Sequence, residues 1–277
     1  MPVIRIRDEV VIGGAAPLLI AGPCVIESRE HCLRMAEAVA VIAAERNLPA
    51  VFKASFDKAN RTSIDSYRGP GLEAGLRILE ETGRASGLPL TTDVHEPDQA
   101  AACAQVVDLL QVPAFLCRQT DLVCACAATG AAVSIKKGQG LAPWDCAPLV
   151  DKARAGGNER IMLIERGSSF GYNTLVTDMR ALPQLRALGC PVIFDGTHSV
   201  QQPGGLGGSS GGQREFAPVL MRAAMAAGID GLFIETHDDP ASARSDGPNM
   251  IPLDRLGALL DRLLAIRAAA GHPDELA

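Results

Sequence analysis

A segment in the N-terminal quarter of the chain concentrates side chains that bind anions. Residues 52–63 read FKASFDKANRTS, in which cations and small polar side chains are interleaved: Lys53, Ser55, Lys58, Asn60, Arg61 and Thr62. Ammonium, guanidinium and hydroxyl groups pair with phosphate oxygens, so the segment is suited to a phosphorylated ligand. Because Lys and Arg lie mostly on protein surfaces, the segment taken alone favours a solvated loop.

Eight apolar runs supply the elements that could position this segment. They lie at residues 17–22, 50–55, 88–93, 106–112, 131–137, 160–166, 191–196 and 231–236. Apolar runs without alternation indicate strands buried on both faces, as in a parallel sheet covered by helices. Eight such units predict a single α/β domain over residues 1–277, a (β/α)8 TIM barrel. The alternating residues 1–14 predict a short N-terminal β-hairpin.

A doubly wound sheet remains an alternative, since periodicity alone does not settle topology. The Gly-rich phosphate fingerprint of dinucleotide folds is missing from the first strand-to-helix turn, which disfavours it.

A polar or reactive residue stands at or just after the C-terminal end of every run. These residues are Cys24, Lys53, Asp93, Gln111, Lys136, Arg166, His198 and Glu235. In a barrel the C-terminal ends of the strands converge on one mouth, where the active site lies. The convergence predicts a functional site there, and it indicates that residues 52–63 bind a ligand.

Composition limits the other functions the chain could have. The 277 residues are 47% hydrophobic and carry a net charge of -6, so nucleic acid and anionic membranes are poor partners. No run approaches the roughly 18 apolar residues of a membrane span, and the first ten residues lack the apolar core of a signal peptide. Eight cysteines without a CxxC pair are typical of reduced thiols. We therefore expect a soluble cytoplasmic protein.

Four long motifs carry a resemblance to a known family. They are IAGPCVIES at 20–28, FKASFDKANRTSIDSYRGPG at 52–71, ERGSSFGYNTLVTDM at 165–179 and FDGTHSVQQPGG at 194–205. The chain resembles, over nearly its whole length, the 3-deoxy-D-manno-octulosonate 8-phosphate synthases. The resemblance implies condensation of phosphoenolpyruvate with D-arabinose 5-phosphate, with release of phosphate, on a barrel that is usually a homotetramer. The product is a precursor of Gram-negative lipopolysaccharide.

The resemblance also assigns substrate-binding residues. It implies that Lys53, Lys136, Arg166 and Gln111 hold phosphoenolpyruvate. On the arabinose 5-phosphate side it implies Lys58, Asn60, Arg61 and Thr62, with Ser55 as a further substrate ligand; in this family a neighbouring subunit often completes that phosphate site. Lys137 follows Lys136 on a strand, where side chains alternate, and is expected to be structural.

A divalent metal ion is the implied cofactor. Metal-dependent members of the family carry Cys where metal-independent members carry Asn, and this chain has Cys24; the other implied ligands are His198, Glu235 and Asp246. Thiolate, imidazole and carboxylate suit Zn2+, Fe2+ or Mn2+. Each residue alone has a structural explanation, such as a core thiol for Cys24. His237 is interpreted either as a support for a ligand or as a solvent-facing loop residue.

The expected chemistry joins C3 of the enol phosphate to the aldose aldehyde, while water adds at C2 before phosphate leaves. The metal, held in part by His198, would polarise the aldehyde or orient a water, and Lys53 and Lys136 would stabilise or protonate the developing oxyanions. Asp93 would position the water or neutralise a lysine. The sequence does not assign the general base. The Gly-rich residues 201–215 predict a mobile lid over the mouth.

Three competing functions stay open from the sequence. A 3-deoxy-D-arabino-heptulosonate 7-phosphate synthase would use erythrose 4-phosphate, but its aldose loop typically reads Lys-Pro-Arg-Thr-Ser, whereas residues 58–63 here contain one more residue, with Asn60 offered to a longer sugar. A Schiff-base aldolase would use Lys53 or Lys136 as nucleophile. A sugar-phosphate sensor without turnover is the third.

Overall fold

The eight apolar runs form eight parallel strands, as predicted. In the computed structural model, which describes residues 1–205 and 211–275, the strands are β1 Leu18–Gly22, β2 Ala50–Lys53, β3 Leu90–Asp93, β4 Leu109–Val112, β5 Ala132–Lys136, β6 Ile161–Glu165, β7 Val192–Asp195 and β8 Gly231–His237. Each strand pairs with the next, and β8 pairs with both β7 and β1. These pairings close the sheet, which confirms the (β/α)8 barrel.

A helix follows each strand and covers the outside of the barrel. The helices are α1 Arg29–Ala44, α2 Leu72–Ser86, α3 Gln99–Ala104, α4 Thr120–Ala128, α5 Ala147–Ala155, α6 Ala181–Arg186, α7 Ala217–Ala227 and α8 Leu253–Ala270. Short 3-10 turns occur at Ala114–Leu116, Pro143–Cys146, His198–Val200, Arg214–Phe216 and Pro273–Glu275. Among the described helices, none combines the length and apolarity that a membrane span needs.

An antiparallel hairpin of Ile4–Arg7 and Val10–Ile12 precedes the barrel, as predicted. Its buried side chains Ile4, Ile6 and Ile12 join a cluster with residues at the starts of strands, among them Leu18 and Leu109. Burying this apolar face closes the N-terminal end of the barrel. Ligands must therefore enter at the opposite end, where the strands finish.

The remaining short strands lie near the barrel mouth. Ser168–Ser169 pairs with Leu175–Val176, Ile251–Pro252 extends from the end of β8, and Gln201–Gln202 pairs with Gly211–Gly212. The lid predicted at 201–215 has these last two strands as its base. Its central residues 206–210 lie outside the described part of the chain, so its mobility stays a prediction.

Candidate active site

A cavity of about 490 Å3 lies at the C-terminal end of the strands. Its wall brings together most of the residues that the sequence singled out: Lys53, Lys58, Asn60, Arg61, Thr62, Asp93, Lys136, Arg166, His198, Glu235 and Asp246. A cavity of this size accommodates two small phosphorylated molecules side by side. The strand ends therefore meet at a single site.

Asp93 is the centre of a buried polar network. Its carboxylate accepts hydrogen bonds from Ser55 Oγ and from Gln111 Nε2, the latter at 2.5 Å, and it lies 3.2 Å from Lys58 Nζ. Burial alone would raise the pKa of Asp93, but the charges of Lys58 and Lys53 outweigh burial and hold this pKa well below its usual range. Ser55 and Gln111 are buried behind this carboxylate and are not among the described residues of the cavity wall.

Two buried lysines are held in place by carboxylates. Lys53 Nζ lies 2.7 Å from Glu235 Oε1, and Lys136 Nζ lies 2.8 Å from Asp195 Oδ2 and 3.8 Å from the centre of the Phe233 ring. These contacts fix the direction of both ammonium groups. They can stabilise negative charge that develops in the cavity without rearranging.

Arg166 carries donors that nothing in the described chain accepts. It is 3% exposed; Nη2 donates to Gln201 Oε1 at 2.8 Å, whereas Nε and Nη1 have no hydrogen-bond partner among the described residues. Burial lowers the pKa of Arg166. Because buried donors are normally paired, these N–H groups indicate a binding site for an anion.

A second guanidinium lines the cavity from the loop after β2. Arg61 donates to Ser245 Oγ at 2.6 Å and to the Arg244 carbonyl at 3.4 Å, and its buried Nε has no hydrogen-bond partner among the described residues. The contacts join the loop that carries Asn60 and Thr62 to the loop after β8. The cavity is thus lined by two guanidinium groups with unpaired donors, Arg166 and Arg61.

Three of the four predicted metal ligands come together beside the cavity, and His198 lies next to one of them. Cys24 Sγ lies 3.1 Å from Asp246 Oδ2, and one ligand atom each of Cys24, Glu235 and Asp246 lies within 4.8 Å of the others. His198 Nε2 lies 3.6 Å from Glu235 Oε2, and its Nδ1 faces Asp195 Oδ2 at 2.8 Å. A carboxylate behind the imidazole is the usual orientation of a metal-binding histidine.

The electrostatics around these ligands also suit a cation. Burial first, and then the charge of Glu235, raise the pKa of the Cys24 thiol. Burial would raise the pKa of Asp246 too, but His198 and Lys58 outweigh burial and lower it to about 2. Glu235 Oε2 is buried without a hydrogen-bond partner among the described residues. The donor set of sulfur, nitrogen and two carboxylates fits a divalent transition metal.

The structure settles two interpretations made from the sequence. Lys137 is absent from the described cavity wall, as expected: its Nζ lies 3.5 Å from Glu165 Oε2 and donates to Ser168 Oγ at 3.0 Å. His237 is only 3% exposed, so its interpretation as a solvent-facing residue is wrong. It is buried because β8 continues through residue 237 and α1 packs beside it.

We expect Lys137→Met to destabilise the protein by about 3–5 kcal/mol, because it leaves the buried Glu165 carboxylate without its cation. The double variant Lys137→Met/Glu165→Gln should recover much of this loss. Urea unfolding of the wild type, both single variants and the double variant measures the coupling. Additive losses would contradict the pairing of these two residues.

Sequence reasoning missed three residues that organise the site. Asp195 orients both Lys136 and His198, Gln201 joins Arg166 to Asp246, and Arg244 lines the cavity. Asp195 had a detectable signal, since it ends a buried strand three residues before a candidate histidine. The other two lie in loops whose paths the sequence does not determine.

Comparisons with known proteins agree with this geometry. The model of the DAHP synthetase I family matches residues 2–266. The chain is similar to proteins named 2-dehydro-3-deoxyphosphooctonate aldolase from Cyanothece sp., at 59% identity over 96% of this chain and 98% of that protein, and from Synechococcus sp., at 58% over 97% and 95%. The one from Bradyrhizobium diazoefficiens is 58% identical over 98% and 97%. The chain therefore belongs to the DAHP synthetase I family, and its place there is with the 2-dehydro-3-deoxyphosphooctonate aldolases.

Proposed function

We propose that the protein condenses phosphoenolpyruvate with D-arabinose 5-phosphate and water to give 3-deoxy-D-manno-octulosonate 8-phosphate and inorganic phosphate. This product is the compound after which the relatives are named, 2-dehydro-3-deoxyphosphooctonate. The observation that carries the proposal is one cavity lined by two guanidinium groups, Arg166 and Arg61, each with a buried nitrogen that has no hydrogen-bond partner among the described residues. Such a cavity holds two anionic substrates next to one another.

Phosphoenolpyruvate lies, in this proposal, deep in the barrel. Its phosphate and carboxylate take the unpaired N–H groups of Arg166 and the ammonium groups of Lys53 and Lys136. All three side chains are buried, so their interactions with an anion are little screened by water. Gln111 acts indirectly, because it holds Asp93 rather than the substrate.

Arabinose 5-phosphate lies nearer the mouth. Asn60 and Thr62 are exposed on the loop after β2, and Arg61 beside them offers its unpaired Nε to the phosphate. Lys58, which donates to Asp93 at 3.2 Å, lines the same cavity. Ser55 supports Asp93 from behind.

In the reaction, C3 of the enol bonds to the aldehyde carbon of the aldose, and the aldehyde oxygen takes a proton. Water bonds at C2 and gives up both of its protons, one to replace the proton taken by the aldehyde oxygen and one to the phosphate that leaves when the C2–O bond breaks. The fixed ammonium groups of Lys53 and Lys136 stabilise the oxygen atoms that gain charge, and either can supply the proton. Asp93 stays ionised and orients the attacking water.

The metal-dependent branch of the family fits the donor set of this chain. Cys24, His198, Glu235 and Asp246 would hold a divalent ion such as Zn2+, Fe2+ or Mn2+. When bound, such an ion polarises the aldehyde or lowers the pKa of a water. Lys53 Nζ donates to the Cys24 carbonyl at 2.8 Å and to Glu235 Oε1 at 2.7 Å. The same lysine therefore supports the proposed metal site and the proposed phosphoenolpyruvate site.

The geometry disfavours a Schiff-base aldolase. Such an enzyme needs an unprotonated lysine as nucleophile, whereas Lys53 and Lys136 each face a carboxylate within 2.8 Å. A sugar-phosphate sensor is disfavoured because binding alone would not require the metal ligands that surround Cys24.

We propose that the protein is a homotetramer in the cytoplasm. The free thiols of all eight cysteines, each within the described residues, support a reducing compartment. Light scattering of the purified protein tests the tetramer.

Arabinose 5-phosphate should drive phosphate release from phosphoenolpyruvate at least about tenfold faster, in kcat/KM, than erythrose 4-phosphate, which corresponds to about 1.4 kcal/mol of discrimination. The longer sugar reaches Arg61 while its hydroxyl groups contact Asn60. Steady-state assays with each aldose measure the ratio, and product mass separates condensation from hydrolysis. Equal specificity constants would refute the substrate assignment.

A further inference from the structure

A second group of possible metal ligands lies outside the cavity, where the start of α1 meets the end of β8. Glu27, His31 and His237 each offer one ligand atom, and these atoms lie within 4.8 Å of one another. His31 and His237 are 7% and 3% exposed, and their ring centres are 4.5 Å apart. The proposed reaction uses none of these three side chains.

Each of the two imidazoles has a nitrogen without a hydrogen-bond partner in the described chain. These atoms are His31 Nδ1 and His237 Nε2. His237 Nε2 lies 3.3 Å from Glu27 Oε1, close to the separation of two ligands that share one zinc ion at about 2.0–2.2 Å. Buried nitrogens normally have a partner, and a metal ion would supply one to both.

Asp238 lies on the far side of both rings. Its Oδ1 is 3.0 Å from His31 Nε2 and 3.1 Å from His237 Nδ1. Asp238 Oδ1 accepts a hydrogen bond from His31 Nε2, which leaves the lone pair of His31 on its inner nitrogen, as in metal-binding histidines. The Asp239 N–H donates to His237 Nδ1 at 2.9 Å and also to Asp238 Oδ1 at 3.2 Å. Metal binding at His237 Nε2 would move the ring hydrogen to Nδ1, beside Asp238 Oδ1, and the Asp239 N–H would keep Asp238 as its acceptor.

We propose that Glu27, His31 and His237 form a second divalent-metal site that takes Zn2+ or a similar ion. Two imidazoles and one carboxylate are a common zinc ligand set, and all three side chains line a pocket of about 290 Å3 that is open to solvent. Glu27 Oε1 also accepts the backbone N–H of Arg244 at 2.9 Å. The ion would thus fix α1 to the loop that carries Arg244 on the cavity wall.

The number of zinc ions per chain tests this site. Full-length protein stripped with a chelator and dialysed against Zn2+ should bind two equivalents. His31→Ala and Cys24→Ser should each bind one and the double variant none, because the two sites share no ligand. Asp238→Ala keeps all three ligands and should weaken the second equivalent by about 10–100-fold. His272→Ala, which removes an imidazole beside the N-terminal hairpin, is the matched control and should bind two.

Co2+ separates the two sites by spectrum. The Cys24 site should show thiolate-to-metal charge transfer in the near ultraviolet, which His31→Ala should retain, whereas the visible bands that persist in Cys24→Ser should disappear when His31→Ala is added. The proposal would be overturned if the wild type bound only one zinc equivalent and Cys24→Ser bound none. It would also be overturned if His31→Ala and Asp238→Ala both still bound the second equivalent as tightly as the wild type. If His31→Ala does not fold, Asp238→Ala decides, since that side chain is 42% exposed.

Discussion

Replacement of Arg166 by methionine should make the protein more stable and nearly inactive. The guanidinium is 3% exposed, and two of its nitrogens have no hydrogen-bond partner among the described residues. A buried charge without a matching anion costs stability, so an apolar side chain of similar length should raise it by about 1–2 kcal/mol, or roughly 2–6 °C in Tm. Thermal unfolding of the ligand-free protein measures this gain.

The loss of activity follows from the same unpaired donors. If they bind phosphoenolpyruvate, Arg166→Met should lower kcat/KM for this substrate by about 2–4 kcal/mol, or roughly 30- to 900-fold. Arg61→Met should instead raise the KM for arabinose 5-phosphate. An Arg166 variant that keeps its affinity for phosphoenolpyruvate, or one less stable than the wild type, would contradict the assignment.

Arg186 provides a matched control for the stability effect. It is 9% exposed, similar to Arg166, but its guanidinium forms ion pairs with Asp230 and Asp274. Arg186→Met leaves the buried Asp230 without its cation and should destabilise the protein by about 3–5 kcal/mol. If the two substitutions changed stability in opposite directions, the stability cost of Arg166 would be shown to arise from its missing anionic partner.

The sequence predicted the barrel because strands buried on both faces read as uninterrupted apolar runs. Each apolar run overlaps one strand of the barrel. The polar residue at or just after each run was therefore assigned to the C-terminal end of the correct strand. Lys53, Asp93 and Lys136 could be placed at one site without any knowledge of the loops. Barrel geometry alone brings strand ends together.

The pairing of these side chains could not be predicted in the same way. Cys24 contacts Asp246 across more than two hundred residues of sequence, and Gln201 joins Arg166 to Asp246 from a different loop. Such contacts depend on loop paths, which periodicity does not determine. Ser55 illustrates the limit: the resemblance implies a substrate ligand, and only the folded structure shows that its hydroxyl donates to the buried Asp93 carboxylate.

Chelation should abolish turnover, and a divalent transition metal should restore it. Thiolate and imidazole together favour Zn2+, Fe2+ or Mn2+ over Mg2+, which prefers oxygen ligands. We expect a loss of at least about 100-fold, since a metal Lewis acid contributes several kcal/mol to such reactions. Phosphate release before and after chelation, with metal content measured in parallel, tests this. His198→Ala should lose metal affinity at the cavity and should not be rescued by added metal.

Cys24→Asn is the sharper test, because the resemblance to the family places Asn at this position in members that work without metal. Asparagine removes the thiolate that the metal needs, and its amide can hydrogen-bond to Asp246, which Cys24 Sγ contacts at 3.1 Å. The variant should therefore retain part of its turnover, and that turnover should no longer respond to chelator. Cys24→Ser offers a shorter polar group and should be inactive after chelation. A wild-type enzyme that stays fully active after verified removal of all metal would return Cys24 to a structural role, since a buried thiol with a raised pKa packs as a small apolar side chain.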